Sequence, residues 1–144
     1  MTTGSNVFDM AMVLIDEQDP RTGATDRSEN VEYKVRSPGL LNTLMQELCV
    51  LDAEWRAARN AGAVPGLVAC LDDSLDLSDR VCRGILPYGL AGLLTLEENP
   101  ACAQYFLSKY ERLKEDLKHG TRAKWEKLNA AQDGVEWGQF GSWG

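Results

Sequence analysis

The sequence predicts an all-α protein: a small helical bundle with a kinked core helix and an extended C-terminal tail. Three observations carry that prediction. Apolar residues recur at helical spacing in several segments, as in Leu41, Leu44, Met45 and Leu48. Strong stop signals separate those segments, at Asp19-Pro20, between Gly62 and Gly66, and at Asn99-Pro100. The last dozen residues interleave glycines with large aromatics, and glycine-rich chain is entropically costly to order. Residues 1–131 are read as the helical domain and 132–144 as a docking tail.

Val7, Met10, Ala11 and Leu14 follow helical spacing in a first short helix ending near Asp19-Pro20. Arg21 to Thr25 is a turn. Asp26 to Arg36 is polar and reads as helix, with Val31 and Val35 on one face. Ser37-Pro38 reads as a helix start, with serine as cap and proline at the first position. Leu40, Leu41, Leu44, Met45, Leu48, Leu51, Asp52 and Trp55 then form an amphipathic helix to about Asn60. Residues 61–66 break it. Leu67 to Leu71 is a short apolar run whose type stays open, one extended strand being the candidate.

Asp72 to Asp79 reads as an acidic loop that caps the next helix through Asp76 or Ser78, and acids in a first turn suit the helix dipole. Val81, Ile85, Leu86, Leu90, Leu93 and Leu94 give the core face of a helix to about Glu98. Pro87 lies inside it. Proline removes a backbone bond and clashes with the preceding turn, so a kink or break is expected between Arg83 and Leu86. Gly84, Gly89 and Gly92 would let a neighbouring helix come close. Asn99-Pro100 opens the next helix, with Tyr105, Phe106, Tyr110, Leu113 and Leu117 on its buried side. His119-Gly120 reads as its stop. Thr121 to about Ala131 reads as a short basic extension holding Trp125 and Leu128.

The 144 residues fit one domain with arms. A net charge of −7 argues against a general DNA-binding face, which needs a basic patch. It does not argue against DNA passing nearby, because an acidic surface repels phosphate without gripping it. Charge is segregated along the chain. Lys109 to Lys127 holds seven basic residues against four acids, whereas Asp72 to Glu98 holds six acids against two arginines. No run is long enough to span a bilayer, and the N-terminus lacks a secretory pattern, so the chain is expected to stay in a cytosol.

No catalytic residue, metal site or cofactor is expected. Cys49, Cys70, Cys82 and Cys102 form no CxxC pair, and His119 is the one histidine, most simply a helix C-terminal residue. Cys82 and Cys102 sit in apolar helical patterns, as small buried residues do. The run Asp72, Asp73, Asp76 and Asp79 lacks the spacing of an EF-hand. Phosphate-loop, dinucleotide, serine-elbow and zinc-protease motifs are absent.

The tail carries the clearest functional signal. Val135, Trp137, Phe140 and Trp143 lie among glycines, the aromatics three residues apart. Each aromatic gains from leaving water, so a flexible tether with spaced anchors suits docking into a partner's groove. The alternative is a tail folded back on its own domain.

Three segments together carry a resemblance: Leu75 to Arg80, Ile85 to Ala91, and Glu97 to Pro100 with Phe106 and Tyr110-Glu111. They resemble head–tail connector proteins of tailed bacteriophages, also called adaptor or head-completion proteins. Pro87, Tyr88, Leu90, Phe106 and Tyr110 are the motif's core positions. The early helices and the closing glycine–aromatic tail are similar to those of some members. The resemblance implies an all-α adaptor forming a homo-oligomeric ring, commonly of twelve copies, beneath a portal protein. That ring joins the portal to a stopper or tail-completion protein, and DNA passes through its channel without specific binding or any covalent chemistry. It implies a place in the virion neck after synthesis in the host bacterial cytoplasm. The loop Asp72, Asp73, Asp76 and Asp79 is expected to face the channel or a neighbouring subunit. Alternatives are a stopper or tail-terminator of the same neck, or a helical DNA-binding regulator using Lys109 to Lys127.

Overall fold

Helix α1 (Gly4–Gln18) starts because Thr3 and Asn6 cap each other reciprocally: Thr3 Oγ1 accepts from the Asn6 amide, and Asn6 Oδ1 accepts from the Thr3 amide. A computed structural model describes residues 1–19 and 30–133, the last stretch from 121 onward as backbone. The remaining elements are α2 (Val31–Leu48), a 3-10 turn (Cys49–Asp52), α3 (Ala53–Ala58), α4 (Asp79–Gly84), α5 (Leu86–Thr95) and α6 (Pro100–Asp133). The all-α expectation holds among the described residues. Their one β feature is an isolated antiparallel bridge between Thr3 and Ser74.

Helix α5 is the centre, packed against α6, α1 and α2. Its sequence explains that position: it contains no charged residue, and Leu86, Pro87, Leu90, Ala91 and Leu94 are all buried. Around it lie Val7, Phe8 and Ile15 from α1, Leu41, Met45 and Leu48 from α2, and Phe106 and Tyr110 from α6.

Several elements differ from the sequence expectation. The kink or break expected between Arg83 and Leu86 takes the form of a break, so one expected helix is two. Ile85 (φ −121°, ψ −48°) separates α4 from α5, and Pro87 falls in the first turn of α5, where a missing N–H costs nothing. Ser37-Pro38 does not start a helix. Helix α2 begins seven residues before Pro38, at Val31, and runs through it. Ser37 Oγ donates to the Tyr33 carbonyl (2.6 Å), and the buried Tyr33 ring anchors the early turns. Gly120 does not stop α6, which continues to Asp133, past the expected boundary at 131.

The long helix predicted to about Asn60 does end there, with Asn60 in the left-handed region (φ 55°), but it is interrupted by the 3-10 turn. Residues 67–71 form no strand. Instead Asn42 pairs with the backbone of Val68 as a strand neighbour would, donating to its carbonyl (3.0 Å) and accepting from its amide (2.7 Å). Tyr105, expected on the buried side of its helix, is exposed, as is Met10 of the first apolar pattern; Val31 and Val35, which share one face, are exposed too. A Cβ on Gly84 would meet open space, so that glycine serves no close approach. The turn at 21–25 and the start expected at Asp26 lie outside the described residues.

Candidate docking surfaces

The acidic loop is built as an internal staple. Asp73 Oδ2 accepts from the Ala69 amide (2.8 Å) and the Cys70 amide (3.2 Å), and these bonds hold its carboxyl below the usual range. Partial burial opposes ionisation of Asp76. The Arg56 guanidinium (2.8 Å), the Gly66 amide (3.2 Å) and the charge of Arg59 nonetheless leave its carboxyl net lowered. Asp79 accepts from the Thr2 hydroxyl (2.7 Å), which lowers its pKa as well. Asp72 is exposed. The capping role left open between Asp76 and Ser78 falls to Ser78, whose hydroxyl accepts from the Val81 amide.

Two residues without a sequence signal complete this staple. Arg56 is only 5% exposed, and it donates to the Asp76 carbonyl (2.7 Å) and the Gly62 carbonyl (2.7 Å). Asp52 accepts from the Ser78 amide (2.6 Å) and the Ser78 hydroxyl (2.9 Å). The N-terminal segment joins through Ser5 N to the Leu71 carbonyl (2.6 Å) and Leu75 N to the Thr2 carbonyl (2.9 Å).

Two of the three segments that carry the resemblance, Ile85 to Ala91 and Glu97 to Glu111, meet at the α5–α6 hairpin. Leu90 and Phe106 are fully buried and Tyr110 nearly so. Gly89 lies where a Cβ would stand 2.9 Å from the Tyr110 ring, and Gly92 where it would stand 2.6 Å from Leu107. Burial and the nearby Glu47 push the Tyr110 phenol upward. The connecting turn reaches back to other helices. Glu98 accepts from the Tyr33 hydroxyl (2.6 Å), and Asn99 donates to Asp19 (2.9 Å) while accepting from the Cys102 amide (3.2 Å). Pro87, Leu90, Phe106 and Tyr110 therefore shape the interior, and Tyr88 is half-buried.

Two outward faces flank this hairpin. On the α1 side a cleft of about 380 Å³ is lined mainly by Met10, Val13, Leu14, Pro87 and Tyr88, with Asp9 and Arg83 at its rim. On the α6 side a trough runs along Ala101, Tyr105, Ser108, Lys109 and Arg112. Lys109 Nζ lies 5.5 Å from the centre of the Tyr88 ring and so ties the two together.

Val135, Trp137, Phe140 and Trp143 lie outside the described residues. Among the described residues no group of three His, Cys, Asp or Glu side chains could hold a metal ion. No helix among them is long and apolar enough to cross a membrane. No family model, curated protein or solved structure matches the chain.

Proposed function

We propose that this chain is an adaptor subunit of a tailed-bacteriophage neck, forming a ring beneath the portal protein and leaving a channel for DNA. The observation that supports the reading is the joint placement of two of the three segments carrying the resemblance; the third, Leu75 to Arg80, lies in the acidic loop and the start of α4. Leu86 to Ala91, Glu98-Asn99, Phe106 and Tyr110 converge on one hairpin and its turn, which organises the bundle around α5. A scaffold of that kind performs no chemistry; it presents surfaces. In the ring, the loop carrying Asp72, Asp73, Asp76 and Asp79 faces the channel or the next subunit. A negative wall there offers DNA no phosphate grip. The tail, through Val135, Trp137, Phe140 and Trp143, docks on the portal, since tryptophan anchors dominate interface energetics.

The test is co-purification with a portal protein from the same phage, for the full chain and for a chain lacking residues 134–144. The full chain should be captured as a ring visible by cryo-electron microscopy. The truncated chain should keep its helical circular dichroism and lose capture. A full chain left unbound overturns the portal reading, and capture on a tail protein instead favours a stopper or tail-terminator. Unchanged capture of the truncated chain overturns the role of the tail.

A further inference from the structure

The two outward helix faces differ in charge as well as in shape, although Arg83 of α4 balances Asp9 at the rim of the cleft itself, so that the acidic excess beside it belongs to the later part of α1. Helix α1 contains Asp9, Asp16 and Glu17 and no lysine or arginine. Its inward side is Val7, Phe8, Ala11 and Ile15, so helical geometry turns Asp9, Met10, Val13 and Glu17 away from the core. Val13 is 57% exposed beside the apolar cleft. The α6 trough is the converse. Its lining carries Lys109 and Arg112 and no acid, and Tyr105 stands 47% exposed within it. The opposite side of α6, with Cys102, Ala103, Phe106 and Tyr110, is buried against α5.

We infer that a second copy of this chain docks its α6 trough onto the α1 cleft, Tyr105 entering the cleft and the basic side chains meeting the acidic helix. The registers agree. Tyr105 and Arg112 are seven residues apart, as are Met10 and Glu17, so each pair spans about 10 Å along its helix. Parallel packing of α6 on α1 therefore places Arg112 at Glu17 when Tyr105 sits at Met10. The cleft has room for one aromatic ring among Met10, Val13 and Leu14. Opposite potentials select this pairing over α1 against α1 or α6 against α6, where like charges would meet. The α1 cleft and the α6 trough are lined by different residues, so the pairing joins unlike patches of the two copies. The contact is then heterologous, and it extends to a ring where the rotation closes. It deepens the ring reading above and rests on it only for closure.

The test is disulfide trapping in the full-length chain with exposed Cys70 replaced by serine. Val13→Cys and Ser108→Cys, each three residues beyond Met10 and Tyr105, are placed in one chain. Mild oxidation should give a ladder of species beyond the dimer, in the free protein or on the portal. Mixed single variants should give the 13–108 bond. Arg112→Glu or Glu17→Arg should each lower the yield about fivefold, and the two reversals combined should restore it. No 13–108 bond in either setting overturns the pairing, as do closed dimers alone. A missing bond with portal capture retained refutes this interface and leaves the neck reading standing. A ladder without portal capture does the reverse.

Discussion

Replacing Gly89 by alanine tests the packing on which the whole arrangement depends. Gly39 and Gly89 are both helix-interior glycines, so alanine gains about 0.8–1 kcal/mol of helix propensity at either one. That term cancels when the two variants are compared. A Cβ at Gly39 meets nothing within 4 Å, whereas at Gly89 it lies 2.9 Å from two carbons of the Tyr110 ring and 3.1 Å from Leu44 Cδ2. Relaxed carbon contacts need roughly 3.5–4.0 Å, so both neighbours must yield by about half an ångström. Neither yields freely, because Tyr110 and Leu44 are each only 3% exposed. Overpacking of this kind costs about 1–3 kcal/mol. Gly39→Ala should therefore stabilise the protein. Gly89→Ala should fall about 1–3 kcal/mol below it, near or beneath the parent. With a urea dependence of about 1.5 kcal/mol/M, the two midpoints separate by roughly 1–2 M at unchanged slope. The assay is urea unfolding followed by far-UV circular dichroism. Equal midpoints would refute the close approach of α5 and α6 and with it the structural role assigned to the motif.

Arg56→Ala should lower stability by about 2–4 kcal/mol in the same assay, because it leaves the Gly62 and Asp76 carbonyls without their donor and the Asp76 carboxylate without its charge partner. A loss below about 1 kcal/mol would show that the loop holds without it. Cys70, which is exposed, should react with a thiol reagent in the native protein. Cys82, whose thiol is pushed up to about 12 by burial with help from Asp52 and Asp79, should react only on unfolding. Comparable native rates at both would contradict the fold. Acid should loosen the staple. Asp73, Asp76 and Asp79 have folded pKa values below that of a free aspartate, so their stabilisation is present above the unfolded pKa of about 3.9 and is lost as pH falls through the lower folded values. Amide exchange in residues 1–5 and 66–79 should quicken below about pH 4; unchanged exchange there would show that the carboxylates do not hold the loop.

The same local signal succeeded in one place and failed in another, which shows where sequence reasoning stops. Asn99-Pro100 and Ser37-Pro38 both read as a cap followed by a proline. At Asn99 the reading holds, since its side chain accepts from the Cys102 amide and α5 has already ended at Thr95. At Ser37 tertiary contacts decide otherwise. The Tyr33 hydroxyl reaches Glu98, sixty-five residues away, and that anchor keeps the turn before Pro38 helical. Met10 and Met12 lie two residues apart, and periodicity alone could not say which of them the core would cover. Arg56 was invisible for another reason. An arginine in an amphipathic helix ordinarily reads as solvated, and its partners arrive only when the chain returns twenty residues later at Asp76. The break at Pro87 was legible because proline acts through covalent geometry, which needs no distant partner.

Those differences bear on function in one direction. The motif positions are interior as read, except for Tyr88, which lines the outward cleft, and Met10 and Tyr105 of the apolar patterns face outward. A surface that water alone would touch has no need of Met10 and Val13 beside an apolar cleft, or of Tyr105 in a basic trough. Each exposed apolar side chain forgoes about 1.5–3 kcal/mol of burial. Single exposed apolar residues are ordinary, but two apolar-centred faces of opposite charge on the two helices flanking α5 are a matched pair. The hairpin motif fixes how α1 and α6 are spaced across α5. The Gly89–Tyr110 contact therefore sets the relation between the two faces, although it belongs to neither. Gly89→Ala should accordingly lower the yield of the 13–108 ladder even in conditions where the variant is fully folded. A ladder unchanged in folded Gly89→Ala would show that hairpin packing and subunit pairing are independent.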